Sequence, residues 1–140
     1  DWTRPKAQLL GVRGGPGNTI NHAVSFWIPK QTTSVFVEKV DMVSGLGYDR
    51  AEALGEWVRD HHRLPQVVTD LAVLDFETAD HRMRLRSVHP GVTVDDVVEN
   101  TGFELVIGDA VPTTRNPTAE ELDVLTRLDP NDARGREVPG

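Results

Sequence analysis

The run Val67-Val68-Thr69-Asp70-Leu71-Ala72-Val73-Leu74-Asp75-Phe76 constrains the fold more than any other feature of the chain. It is rich in β-branched residues and apolar on both faces apart from Asp70 and Asp75, so as a central strand it needs cover on both sides. Helices laid over a sheet supply such cover, and the rest of the pattern provides them. Ala7–Val12 reads as a strand that meets Arg13-Gly14-Gly15-Pro16-Gly17, a tight loop where glycines and a proline interrupt regular structure. Asn18 then caps a helix over 18–26, with Ile20 and Val24 on its apolar side and Pro29 as its stop. Residues 35–43, VFVEKVDMV, predict a second strand closed by Ser44-Gly45-Leu46-Gly47. A helix over 51–62 carries Leu54, Trp57 and Val58, is weakened by Gly55 and ends before Pro65.

Beyond residues 67–76, a turn at 77–80 leads to Arg82, Arg84 and Arg86 alternating with Met83, Leu85 and Ser87, the pattern of an antiparallel return strand with one solvated face. Thr93 caps a helix with Val94, Val97 and Val98 on one face and Gly102 as its stop, and 103–107 is a further strand. Thr118-Ala119-Glu120-Glu121 is a capping box opening a helix with Leu122, Leu125 and Leu128. From Asp129 the sequence reads as a frayed tail, with 131–140 flexible beyond a domain over 1–130. Strands alternating with helices predict an α/β fold with a mostly parallel sheet and one antiparallel hairpin.

A chain of 140 residues with 38% apolar and 26% charged content suits one globular domain. Its net charge of -7 and pI near 5.1 argue against a nucleic-acid partner, which needs a concentrated basic face. Without cysteine there is no thiolate nucleophile and no cysteine metal site, and His61, His62 and His81 lack a third ligand at metal spacing. No apolar stretch has transmembrane length and Asp1–Lys6 lacks a signal-peptide core, so the expectation is a soluble cytoplasmic protein with no membrane partner. The absence of an initiator Met before an apolar strand suggests a chain that begins in mid-domain.

The glycine segment is the most informative for chemistry. Glycines let backbone N–H groups approach a ligand, and a following helix N-terminus favours an anion or developing oxyanion. Gly14-Gly15-Pro16-Gly17 matches neither the dinucleotide fingerprint nor the P-loop, so spacing alone favours a plain tight turn. His22 suits proton transfer near neutrality or, alternatively, a hydrogen-bonded place in the helix. Asn18 and Asn21 are candidates to bond substrate, with capping the alternative for Asn18. Glu38 with Asp41, and Asp70 with Asp75, sit at offsets that face opposite sides of a strand, so neither forms a carboxylate pair; Asp70 is expected to accept backbone hydrogen bonds. Arg82, Arg84 and Arg86 are either a phosphate-binding face or a solvated one, and His89 before Pro90 reads as a turn residue.

Gly11-Val12-Arg13-Gly14-Gly15-Pro16-Gly17-Asn18-Thr19-Ile20-Asn21-His22, followed by Val35–Asp41 and Val43–Asp49, resembles the hydrolase branch of the class I coenzyme A transferase family that opens a steroid ring. Residues 67–76, His89-Pro90-Gly91-Val92-Thr93 and Thr101-Gly102-Phe103-Glu104-Leu105 resemble the C-terminal pattern of the family's β-subunits in general. The likeness runs from about residue 8 to about residue 130. It implies a three-layer α/β/α fold, incomplete at the N-terminus, and pairing with an α-subunit, as α2β2. It also implies an acyl-CoA thioester as substrate, with no separate cofactor and no metal. By resemblance Gly14, Gly15 and Gly17 occupy the loop that faces the carbonyl oxygen, while the family's glutamate nucleophile or base lies outside this chain. Transferases usually read Gly-Gly-Ala with a downstream aspartate; Gly-Gly-Pro-Gly-Asn followed by Asn21-His22 departs from that and agrees with the hydrolase branch. The resemblance thus implies hydrolytic C–C cleavage of a CoA-activated steroid intermediate. CoA transfer between carboxylates, or a non-catalytic module binding a nucleotide or phosphate, are the alternatives.

Overall fold

The computed structural model describes residues 14–41, 43 and 45–137; the strand expected over 7–12 lies outside them. The chain divides into two compact units, one comprising 1–25 and 39–65, the other 26–38 and 66–140.

In the first unit, α1 (Gly14–Asn21) begins at the glycine segment itself. The expected tight loop is the first turn of this helix, because Pro16 holds a helical φ and needs no N–H there. Asn18 therefore lies inside the helix rather than capping it, and its carbonyl accepts from His22 N–H at 2.9 Å. The helix expected over 51–62 is two short ones, α2 (Tyr48–Ala53) and α3 (Glu56–His61). Gly55 separates them at φ 103°, a conformation glycine adopts without strain. Ala51, Leu46, Leu64, Thr19 and His62 are buried in this unit, whereas Leu54 and Trp57, expected on the apolar side, are exposed.

The second unit is a five-stranded sheet in the order β1-β2-β3-β4-β5. Its strands are β1 (Phe26–Ile28), β2 (Val67–Thr69), β3 (Ala72–Asp75), β4 (Arg84–Val88) and β5 (Val106–Ile107). β1–β2 and β4–β5 are parallel; β2–β3 and β3–β4 are antiparallel. The α/β class holds, but the sheet is mixed rather than mostly parallel, because the central run folds back on itself. The cause is Thr69, whose hydroxyl accepts from Leu71 N–H at 3.0 Å and Ala72 N–H at 2.9 Å and closes a turn. The carboxylate of Asp70 accepts from Gln31 N–H at 2.8 Å, as its place in an apolar run suggested.

Phe36, Val67, Ala72, Leu74, Leu85, Val88, Val97 and Leu105 form the core of this unit. Among the described residues of 35–43 the expected strand is not formed. Phe36 alone anchors its N-terminal part in the core, Val35 and Val40 are exposed, and Val37 makes only an isolated bridge to Gly102. Gly102 N–H donates to Phe36 O at 2.7 Å, an approach so close that a Cβ at 102 would lie 2.6 Å from that oxygen.

The expected hairpin is present as β3–β4. Its register shifts between Val73 and Leu74, with Val73 opposite Ser87 and Leu74 opposite Leu85, so Arg86 is the extra, bulged residue. The bulge breaks the alternation on which a shared face for Arg84 and Arg86 depended. Helix α4 (Val94–Glu99) starts at Thr93 with a full capping box to Asp96 and buries Val97, while Val98 is exposed. Two hydrogen bonds from Thr93, side chain and then backbone, hold the Asp96 carboxyl below the usual carboxylate range. Helix α5 (Ala119–Leu128) has the predicted Thr118–Glu121 box. Arg115 grips Glu121 in a fork at 2.8 and 2.7 Å and, with Thr118 N–H, holds its carboxyl down at about 2. Within the stretch read as a tail, α6 (Ala133–Glu137) follows Asp129, whose carboxylate accepts from Ala133 and Arg134 N–H at 2.8 and 3.0 Å.

Candidate functional site

At roughly 100° per residue, positions 14, 17, 18, 21 and 22 fall on one side of α1 and its C-terminal extension, with position 15 at the border of that arc. Gly14, Gly17, Asn18, Asn21 and His22 are therefore gathered along one face, and Gly15 flanks it. Asn18 and His22 are exposed. Gly17 has no described heavy atom within 4 Å of the place a Cβ would occupy, and its φ is not in the left-handed region. Nothing inside the described part of the chain requires glycine at 17, although glycine in a helix is disfavoured against alanine.

Outside that arc, α1 is pinned by a residue the sequence reading did not single out. Thr19 is buried; its hydroxyl accepts from Leu46 N–H at 3.0 Å and its carbonyl lies 2.6 Å from Nδ1 of His62. The Tyr48 ring meets the His62 ring edge-on at 4.9 Å, and its hydroxyl accepts from Leu64 N–H at 3.0 Å. Thr19 and His62 are 43 positions apart, and only the fold connects them.

The other chemical candidates are occupied. Asp75, fully buried, takes a two-pronged grip from Arg84 at 2.9 and 2.8 Å and accepts from Glu77 N–H at 3.1 Å. That hydrogen bonding to Asp75 raises the Arg84 pKa further above its ordinary value. Arg82 pairs with Asp80 at 2.9 Å. The ring of His89 bonds Thr69 O at 3.0 Å and its N–H bonds Leu71 O, so it serves the turn. His61 bonds and stacks on Trp57, and His81 bonds Phe76 O. Among the described residues no three His, Asp or Glu side chains gather as a metal site. An open groove of about 670 Å³ runs beside α5, lined by Arg115, Pro117, Glu121, Val124 and Leu125 among others, and includes none of the α1 candidates.

No protein-family model matches the sequence. The cholesterol ring-cleaving hydrolase IpdB subunit of Rhodococcus jostii (strain RHA1) is 50% identical over 137 residues, covering 96% of this chain and 53% of that subunit. The crystal structure of Rhodococcus jostii RHA1 IpdAB superposes with a TM-score of 0.85 at 46% identity, over all of this chain and 56% of the matched one. Over its length, this chain is a homologue of coenzyme A transferase-family B subunits. The crystal structure of glutaconate coenzyme A-transferase from Acidaminococcus fermentans agrees, with a TM-score of 0.80 at 27% identity over 95% of this chain and 52% of that one. The chain thus spans about half the length of the coenzyme A transferase-family relatives it matches. The family resemblance first carried by the glycine segment extends to the fold, including the mixed sheet.

Proposed function

We propose that this chain is the C-terminal portion of the β-subunit of a coenzyme A transferase-family complex that hydrolytically cleaves a carbon ring in a CoA-activated steroid intermediate, such as one from cholesterol. The observation that carries this reading is the 50% identity to the ring-cleaving hydrolase B subunit across 96% of the chain. In this reading water adds to a ring ketone, and the adjacent C–C bond breaks as the tetrahedral adduct collapses. The electron pair released on carbon then takes up a proton. The first turn of α1, with Gly14, Gly15 and Gly17, lets backbone come close to the carbonyl whose oxygen gains charge, where helix N–H groups and dipole favour it. Asn18 and Asn21 bond the substrate, and His22 holds or moves a proton. The glutamate comes from an α-subunit, within an α2β2 assembly in the cytoplasm. The thioester is the substrate, and no separate cofactor or metal takes part. Among the described residues no helix is long and apolar enough to cross a membrane.

The test is consumption of a steroid-derived acyl-CoA by the purified chain alone, with the α-subunit, and by the α-subunit with a full-length β-subunit. No turnover is expected from the chain alone, and ring opening is expected from the full complex. Substantial turnover by the isolated chain would contradict the assignment, since it would require a catalytic set complete within these residues. Likeness to glutaconate coenzyme A-transferase favours a second reading, CoA transfer between carboxylates. A covalent glutamyl-CoA adduct detected by mass spectrometry would select it.

Gly17→Ala tests the α1 face directly. Alanine fits the space and the backbone, so α1 gains roughly 0.5–1 kcal/mol of stability. The added methyl displaces a closely approaching ligand, and turnover of the complex falls on the order of a hundredfold. Raised stability with unchanged turnover would remove Gly17 from the site.

A further inference from the structure

His62 is the buried histidine that none of the roles above uses. It follows α3 directly, its N–H bonds Val58 O at 2.7 Å, and its ring is shut off from solvent. A carbonyl oxygen only accepts, so the 2.6 Å contact with Thr19 O requires the proton on Nδ1. Nε2 is then an acceptor, and it has no hydrogen-bond partner among the described residues. An orphaned buried polar atom disfavours the fold, and an apolar side chain in the same place would avoid it.

The bond to Thr19 supplies a reason for the histidine. Thr19 lies in the last turn of α1, the part of a helix whose carbonyls are open to donors from outside it. The imidazole caps that end of the helix from α3, while Leu46 N–H holds the Thr19 hydroxyl. Two hydrogen bonds on one buried residue fix how α1 is turned about its axis. They do so from outside the arc of positions 14, 17, 18, 21 and 22.

We propose that His62 is a positioning residue for the proposed reaction: through its Nδ1–H bond to Thr19 O it sets the rotation of α1 and so aims the glycine turn and His22 at the substrate. This rests on the reading that the α1 face meets substrate. His62 touches no reacting atom, so its removal lowers kcat by misaiming α1 and leaves KM for the thioester nearly unchanged, provided CoA is bound mainly elsewhere in the complex. Asparagine places an amide N–H close to where Nδ1–H stood; glutamine and leucine do not.

The experiment uses the complex of α-subunit and full-length β-subunit. His62→Leu is expected to assemble and to lose ten- to a hundredfold in kcat, as expected of a misplaced catalytic group, with His62→Asn restoring it to within a fewfold of the parent. If His62→Leu does not assemble, His62→Gln takes its place with the same expectation. Parental kcat in an assembled Leu or Gln variant overturns the proposal, and so does an Asn variant as impaired as the Leu one. Nitrogen-15 NMR of the labelled β-subunit gives a readout independent of turnover: His62 is expected as the Nδ1–H tautomer, and a ring protonated on Nε2 alone overturns the proposal. His22→Ala and Gly17→Ala measured alongside separate the two readings. Parental turnover in both sinks the α1 face itself, whereas losses there with a parental His62→Leu sink only the positioning role.

Discussion

Replacing His22 with alanine in the assembled complex is expected to lower turnover by roughly two to four orders of magnitude, the usual loss when a general acid or base is removed. The fold should barely notice. The side chain is exposed, and the hydrogen bond that ties this residue to α1 comes from its backbone N–H to Asn18 O, which alanine keeps. Thermal midpoints of the two proteins should therefore agree closely, since surface changes of this kind usually stay within about 0.5 kcal/mol. His22→Gln sharpens the result, because glutamine bonds like an imidazole but does not titrate near neutrality. Loss in both variants assigns proton transfer; loss only in alanine assigns orientation of the substrate. A tenfold loss or less in alanine returns His22 to the role of a solvated helix end.

The largest effect on the fold is expected at Asp75. Its carboxylate is fully buried, gripped by Arg84 and bonded by Glu77 N–H. Asp75→Ala leaves the guanidinium short of its closest partner and is expected to lower stability by roughly 3 kcal/mol, the low end for breaking a buried pair. The low end applies because the Arg84 side chain keeps 32% exposure and a second partner, Glu77, at 3.0 Å. Denaturant titration of the β-subunit measures it. A change below about 1 kcal/mol would mean that the pair behaves as a solvated surface bridge despite its burial.

What the sequence made legible was chemistry confined to a few neighbouring residues. The helix starts at Thr93 and Thr118 and the β3–β4 hairpin follow from side chains acting within a turn or two, or across one reversal, whereas Asp70 was legible only in kind, since the N–H it accepts from belongs to Gln31, 39 positions earlier. Where contact with distant segments decided, pattern misled. Residues 67–76 have the composition of one strand, yet the Thr69 hydroxyl bends them into two. Residues 35–43 are as β-branched as a strand, yet an isolated bridge at Val37 is the only pairing among their described members. Phe26 was read as the end of a helix over 18–26 and instead opens β1, the border strand of the described sheet, because Val67–Thr69 lies alongside. The α1 candidates were found through family resemblance rather than spacing, and helical geometry then placed them on one face. The bond between His62 and Thr19 escaped notice since a histidine beside another histidine carries no hint of a carbonyl 43 positions earlier.

The pairing of β1 with β2 also bears on how the sheet is built in time. Val67 opposite Leu74 joins residues within one tight hairpin, the kind of contact that closes in microseconds. Phe26 opposite Val67 requires the chain to close a loop on the order of forty residues, and closure entropy must be met before any of that pairing is rewarded. The antiparallel centre can assemble from local search while its parallel border waits for the intervening helices to compact. β1 is thus the late arrival of the sheet, and it carries the exposed Phe26 and Trp27. Until it docks, the growing sheet presents an unpaired β2 edge, and that interval is when this chain is most open to association with the wrong partner.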